Sequence, residues 1–317
     1  MVLNVIWVLL AILSILLLTT FVNHRIQSEK EKPLLQPLGQ LVEVAGKNMN
    51  VYTQGKGEKT IVFLSGGGTV CPTLDFKSLY SQLTDEYKIA VVEKFGYGFS
   101  DDHDRIRDID TMLSDTREAL SKAGLQGPYI LCPHSMSGLE ALYWTQQYPD
   151  EVAAIVGLDM ALPEYYAHMD ISSALSSVKL TRVLGEMGLM RLIAGSVINT
   201  QYAESSLTEN DKKIITALYS RRCYSETCLN EVNFIQKNAQ MVDRGGLPGV
   251  PVLMFISNGE LINLDPALWV NTARDYADQL ENGTSVQLDC SHNLHNIEYM
   301  RIAEEMKTFL ATLDLSD

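Results

Sequence analysis

The segment Tyr129-Ile130-Leu131-Cys132-Pro133-His134-Ser135-Met136-Ser137-Gly138-Leu139-Glu140-Ala141-Leu142 puts a serine where an apolar, strand-like run gives way to a helix-like one. A serine on so sharp a corner is pushed out of the sheet, so its hydroxyl is exposed and the N–H of the next residue, Met136, points toward whatever the hydroxyl attacks. Nucleophilic chemistry at Ser135 needs a base to take the hydroxyl proton and a third group to orient that base. His292, in the loop Asp289-Cys290-Ser291-His292-Asn293-Leu294-His295, is the candidate base; its rival His295 opens the last helix, where the chain direction is less favourable. The triple glycine Gly66-Gly67-Gly68 can turn backbone donors inward, since no Cβ obstructs positive φ. The N–H groups of Gly67 and Met136 are therefore the expected stabilisers of a developing oxyanion. The usual signature of such a corner is Gly-x-Ser-x-Gly. Here Pro133 and Ser137 stand at the two glycine positions and Gly138 comes one place late. Proline fixes φ at a strand-compatible value, and serine is small enough for the turn. Read without chemistry, the same residues are a strand–turn–helix with an incidental serine.

The elements that must hold these residues follow from hydrophobic periodicity. Short strands are expected at residues 41–44, 50–52, 60–64, 87–92, 129–133, 153–158, 252–256 and 285–288, with helices over 74–83, 111–123, 138–148, 266–280 and 297–313. Apolar, β-branched strands alternating with helices argue for a mostly parallel sheet covered on both faces. The alternation stops after Pro163. Residues 164 to about 246 read as helices at 171–178, 180–195, 209–223 and 226–241, with no strand between them. An all-helical insertion after an α/β core reads as a lid over the active face. Leu184, Met187, Leu189, Met190, Leu192 and Ile193 make it apolar, although such residues also serve as a lid's own core.

Residues 2–22, VLNVIWVLLAILSILLLTTFV, are long and apolar enough to cross a bilayer as a helix. A cleaved signal peptide would bring a basic leading segment and a small-residue cleavage site, and neither pattern is present. The basic residues Arg25, Lys30 and Lys32 follow the run, and the positive-inside rule then places the remaining chain in the cytoplasm. On the other side of the membrane, Asn282-Gly283-Thr284 would be a glycosylation sequon. The five cysteines, Cys71, Cys132, Cys223, Cys228 and Cys290, form no metal-binding spacing and suit a reducing compartment, with one bond between Cys223 and Cys228 left open. A net charge of −14 provides no basic footprint for nucleic acid.

Four motifs in order resemble the α/β-hydrolase superfamily, in its branch with a helical cap. They are Leu64-Ser65-Gly66-Gly67-Gly68 as the oxyanion loop, Phe95-Gly96-Tyr97-Gly98-Phe99-Ser100-Asp101 after the neighbouring strand, the elbow at 133–138, and Ser291-His292 as the base loop. The resemblance implies an α/β-hydrolase fold with a core at 41–163 and 247–317 and a cap at 164–246, preceded by the anchor at 1–23 that the apolar run supplies and a polar linker at 24–40. It also implies an acid after the sixth or seventh strand. Asp159, in Leu158-Asp159-Met160-Ala161-Leu162-Pro163, is the favoured candidate, and its place resembles that of the acid in haloalkane dehalogenases. Glu260, in Ser257-Asn258-Gly259-Glu260-Leu261, is the alternative. The expected function is a membrane-anchored serine hydrolase that cleaves carboxylic esters or related acyl bonds through an acyl-enzyme, with no cofactor and no metal. Dehalogenase or epoxide hydrolase chemistry is disfavoured, because those members use a carboxylate nucleophile. The expected partners are a small, hydrophobic acyl substrate and, through residues 2–22, the lipid bilayer. The alternative is a catalytically impaired member that binds a ligand or partner.

Overall fold

Strands with every residue buried need helices on both faces, and the computed structural model, which describes residues 2–262 and 264–313, provides them. Met1, Asn263 and residues 314–317, which fall in the expected anchor and core, lie outside the described residues. In chain order the elements are α1 (Val2–Glu31), β1 (Gln40–Val44), β2 (Lys47–Gln54), β3 (Thr60–Leu64), α2 (Pro72–Asp75), α3 (Lys77–Tyr80), β4 (Lys88–Glu93), α4 (Ile109–Lys122), β5 (Tyr129–Pro133), α5 (Gly138–Gln147) and β6 (Val152–Leu158). Four helices follow without a strand: α6 (Ile171–Glu186), α7 (Arg191–Gln201), α8 (Glu209–Arg221) and α9 (Glu226–Arg244). The chain then returns through β7 (Val252–Ile256), α10 (Pro266–Gln279), β8 (Gly283–Gln287), α11 (Leu294–Ile297) and α12 (Tyr299–Ala311).

The strands form one sheet in the order β1-β2-β4-β3-β5-β6-β7-β8. β2 pairs antiparallel with both β1 and β4, and the remaining pairs are parallel. The two-residue period of each strand splits its side chains between two cores. Val62, Leu64 and Leu131 join α4, α5, α9 and α10 on one face. Ile61, Phe63, Ile130 and Cys132 meet Phe76, Leu79 and Tyr80 and the α12 residues Ile302, Met306 and Leu310 on the other.

Helix boundaries differ from the expectations where capping overrides periodicity. The expected break in the cap near residue 179 does not occur. The Asp170 side chain caps α6 by accepting from the N–H groups of Ser172 and Ser173, and the helix runs to Glu186. It ends at Gly188, whose φ of 78° is a left-handed stop that glycine adopts at no steric cost. The segment expected as a linker from residue 24 is helical as far as Glu31. Arg25, Gln27, Glu29, Lys30 and Glu31 are good helix formers. Glu31 and Ser28 also bind the cap: Arg191 pairs with Glu31 at 2.5 Å, and Arg221 Nη1 donates to the Ser28 carbonyl at 2.8 Å. All five cysteines are free and buried, Cys223 and Cys228 included.

The cap is pinned to the core by a buried charge cluster. Lys94, just after β4, donates to Glu140 of α5 at 2.5 Å and to Glu231 of α9 at 2.8 Å, while the Tyr97 hydroxyl donates to Glu231 at 2.5 Å. Burial works against Lys94's charge, but the two carboxylates outweigh it and hold its pKa above the usual lysine value. Part of the Phe95–Asp101 motif is thus a cap-docking device.

Candidate active site

β5 delivers the chain to its corner. His134 N–H donates to the Leu64 carbonyl at 3.0 Å, and Ser135 follows with a φ of 53°. A non-glycine residue in that region is strained, and here the surroundings enforce it: the Ser135 carbonyl accepts from Ala161 N–H at 2.7 Å. The altered glycines now have a physical account. Ser137 is buried and donates to the carbonyls of Leu64 (2.6 Å) and His134 (2.9 Å), so a hydroxyl ties the corner where glycine is usual. The steric demand falls on Gly138, where a Cβ would stand 2.3 Å from the Ala161 carbonyl oxygen. Pro133, which has no N–H to offer, comes after the last regular β5–β6 pair, Leu131 with Ile155.

Asp159 leaves β6 with a φ of 46°, and its side chain is almost completely buried. Its Oδ1 accepts from Ser257 N–H at 2.8 Å and from the Trp269 indole at 2.9 Å; its Oδ2 accepts from the Ser257 hydroxyl at 2.7 Å. The fourth contact is His292 Nδ1 to Oδ2 at 2.6 Å. A carboxylate oxygen accepts, so Nδ1 is the donor of this pair. Burying a carboxylate is costly unless it is satisfied, and four donors satisfy this one. Glu260 is exposed and meets His292 through its main chain, accepting from His292 N–H at 3.3 Å. Asp289, three residues before His292, is exposed too. Asp159 is therefore the carboxylate that reaches the histidine.

Ser135 and His292 line a cavity of about 190 Å3 together with Trp269, Tyr165, Tyr166 and Met169. Trp269 stands edge-on to His292, with ring centroids 5.6 Å apart, and stacks on Tyr165 at 4.0 Å. A larger cavity of about 580 Å3 lies between Pro163–Ala167 and α9, and neither Ser135 nor His292 lines it. The glycine loop abuts the corner. A Cβ on Gly66 would stand 2.8 Å from Ser135 Cβ, and one on Gly67 would stand 3.2 Å from Met136 Cε. Gly68, with a φ of 74°, donates its N–H to the Tyr97 hydroxyl at 3.3 Å.

Behind His292 lies a second, fully buried histidine–aspartate pair. His134 packs against His292 with ring centroids 4.7 Å apart and donates from Nε2 to the His292 carbonyl at 3.2 Å. His295, 4.5 Å from His134, bonds Asp75 through Nε2 at 2.9 Å, and Tyr202 and Asn296 donate to the same carboxylate. Burial would raise the Asp75 pKa, but the His295 charge and these hydrogen bonds hold it below the ordinary value. Burial, reinforced by His295 and His292, drives His134 well below a usual histidine, so it stays neutral. Asp75, His134 and His295 bring ligand-type atoms within 4.8 Å of one another; Asp75, His295 Nε2 and His134 Nε2 are engaged in hydrogen bonds, while the Nδ1 atoms of both histidines are buried without a partner among the described residues. His295, the rival base, is fully buried and committed to Asp75. Ser257, Trp269, Tyr165 and Asp75 were not singled out from the sequence.

Residues 55–278 match the family model described as serine aminopeptidase, S33. The Bacillus subtilis (strain 168) protein YbdG, described as uncharacterized, is 39% identical over 258 residues, which are 80% of this chain and 79% of that one. Among solved structures, the enol-lactonase from Burkholderia xenovorans LB400 aligns over 86% of this chain and 100% of its own, with a TM-score of 0.60 and 15% identity. An E-2-(acetamidomethylene)succinate hydrolase aligns over 86% and 98%, with a TM-score of 0.63 and 16% identity. At such low identity these structures speak for the fold. The family match spans more than half of the sequence, and with it the chain belongs to the α/β-hydrolase superfamily, in the family described as serine aminopeptidase, S33.

Proposed function

We propose that this hydrolase is a membrane-anchored serine esterase. Ser135 Oγ attacks the carbonyl carbon of an ester, and His292 Nε2 takes the hydroxyl proton while Asp159 holds the imidazole by Nδ1. The N–H groups of Gly67 and Met136 receive the oxyanion. The intermediate collapses as His292 returns the proton to the leaving alcohol, and water hydrolyses the acyl-enzyme by the same route. The observation that carries the reading is the 2.6 Å contact of His292 Nδ1 with a four-fold satisfied Asp159, with Ser135 lining the same cavity. The family's description admits peptide amides as a second substrate class. The described cavity wall presents aromatic and aliphatic side chains and no carboxylate to hold a free ammonium group, which favours a neutral, apolar acyl chain. The anchor rests on α1, a helix long and apolar enough to span a membrane, and the basic flank at Arg25, Lys30 and Lys32 favours a cytoplasmic catalytic domain.

A fluorophosphonate probe tests the chemistry. Labelling of the full-length chain that Ser135→Ala abolishes is the expected result. A well-folded chain that takes no label would instead make the protein a ligand-binding relative.

A further inference from the structure

The cap turn between α6 and α7 touches the apolar helix at a defined height. Gly188 packs so tightly on α1 that a Cβ there would stand 2.5 Å from His24 Cβ and 2.6 Å from the Thr20 carbonyl oxygen. Thr20 lies two residues before the apolar run ends at Val22. The bond from Arg221 to the Ser28 carbonyl and the ion pair of Arg191 with Glu31 hold the same arrangement about one and two turns beyond His24. The cap therefore has a fixed register on α1, and its turn sits level with the end of the span.

Around that turn, large apolar side chains stand in the open. Leu180 and Val183 on the last turns of α6 are 59% and 55% exposed, and Leu192 and Ile193 on the first turn of α7 are 69% and 47% exposed. The charge pattern matches. Residues 187–203 hold no aspartate or glutamate, in a chain with 39 of them, and the one cation there, Arg191, is already paired with Glu31. Grouped apolar residues on a surface mark a contact with something apolar.

Building on the anchor reading above, we propose that the α6–α7 turn is a second membrane contact, with Leu180, Val183, Leu192 and Ile193 seated at the boundary between headgroups and acyl chains of the leaflet from which α1 emerges. The occupant is lipid because the turn that carries the patch packs on α1 at Thr20, inside the apolar run. The contact is driven chiefly by apolar burial, with the exposed Lys179 beside Leu180 as a neighbouring cation. It holds the cap against the source of a hydrophobic acyl substrate.

The test uses the full chain in phosphatidylcholine vesicles with ordinary or brominated acyl chains, which quench tryptophan fluorescence within the bilayer. Trp144 and Trp269 are buried and give a constant background. Trp7, within α1, reports on the anchor itself. Leu192→Trp, placed in a Trp7→Phe background, reports on the cap, with Ile193→Trp as a second probe should the first misfold; Met300→Trp on α12 is the exposed control outside the cap. Loss of intensity at Trp7 and at residue 192, with none at 300, is the expected result. Quenching at Trp7 but not at 192 or 193 overturns the inference while the anchor stands; no quenching at Trp7 removes the anchor reading, and the inference with it. A residue-192 emission that is blue-shifted yet unquenched assigns the patch to a second copy of the chain, and quenching equally strong at 300 means the whole domain adsorbs. Either result overturns the proposal.

Discussion

Asp159→Asn isolates the orienting carboxylate, and the hydrogen bonds around it dictate how the amide must sit. Oδ1 accepts from the Ser257 N–H and the Trp269 indole, two donors that cannot reverse. The amide oxygen must therefore take the Oδ1 position. The NH2 group is left at the Oδ2 position, facing the Ser257 hydroxyl, which can rotate to accept, and His292 Nδ1. A donor facing Nδ1 drives the imidazole proton to Nε2, the wrong tautomer for a base acting on Ser135. Two of the four bonds survive as they are and the other two reverse direction, so the fold is retained. The chemistry is not: loss of the correct tautomer costs on the order of 10^4 in kcat in serine enzymes that use such a triad, which corresponds to about 5 kcal/mol of barrier. The assay is steady-state hydrolysis of a p-nitrophenyl ester by purified protein, with fluorophosphonate labelling rate as a second readout. Glu260→Gln, at an exposed side chain, leaves kcat within about twofold, since surface changes rarely reach a site they do not touch. An Asp159→Asn enzyme within tenfold of the parent would refute the reasoning, and a collapse in Glu260→Gln would transfer the role.

Other consequences are checked in the same preparations. Trp269→Phe removes one of four donors to Asp159 while keeping an aromatic ring against Tyr165; a lost hydrogen bond to a charged group, about 1.5–3 kcal/mol, lowers kcat roughly ten- to hundredfold with little change in KM. Lys94→Met leaves Glu140 and Glu231 buried without their cation and destabilises the chain by about 3–5 kcal/mol in denaturant titrations. His134 is held neutral in the folded chain, whereas the unfolded chain protonates it below about pH 6.5. The unfolded state then binds the extra proton, so stability falls as pH drops from about 6.5 toward the folded pKa, by at most about 1.4 kcal/mol per unit. Unfolding midpoints of the parent and His134→Gln between pH 7.5 and 5.5 converge if that proton is the cause and run parallel if it is not.

The fold was legible because its signals are local and repeated. Strands such as Thr60–Leu64 and Val252–Ile256 are uninterrupted apolar runs because helices cover both faces of the sheet. The elbow and His292 were legible because a hydroxyl at a strand–helix corner and a histidine after the last strand each have few structural reasons to be there. The carboxylate partner of His292 was harder, since Asp159 and Glu260 both follow strands and only the third dimension brings one of them to Nδ1 of His292. Trp269 gave no signal, because a tryptophan on a helix is read as core, and half of it is: its rings stack on Tyr165 while its single N–H fixes the carboxylate. Asp75 and His295 are 220 positions apart, and their partner Tyr202 comes from the cap, so no window of sequence contains that cluster. The missing glycines carry the most general point. At residue 137 the role of glycine passed to a hydroxyl that binds the Leu64 and His134 carbonyls, and the requirement for no side chain moved to Gly138, against Ala161. A motif written as residue types records one solution to a packing problem. Here the same corner is closed by another, and Ser137→Gly, which removes both hydroxyl bonds, is expected to loosen the turn despite restoring one glycine of the usual pattern.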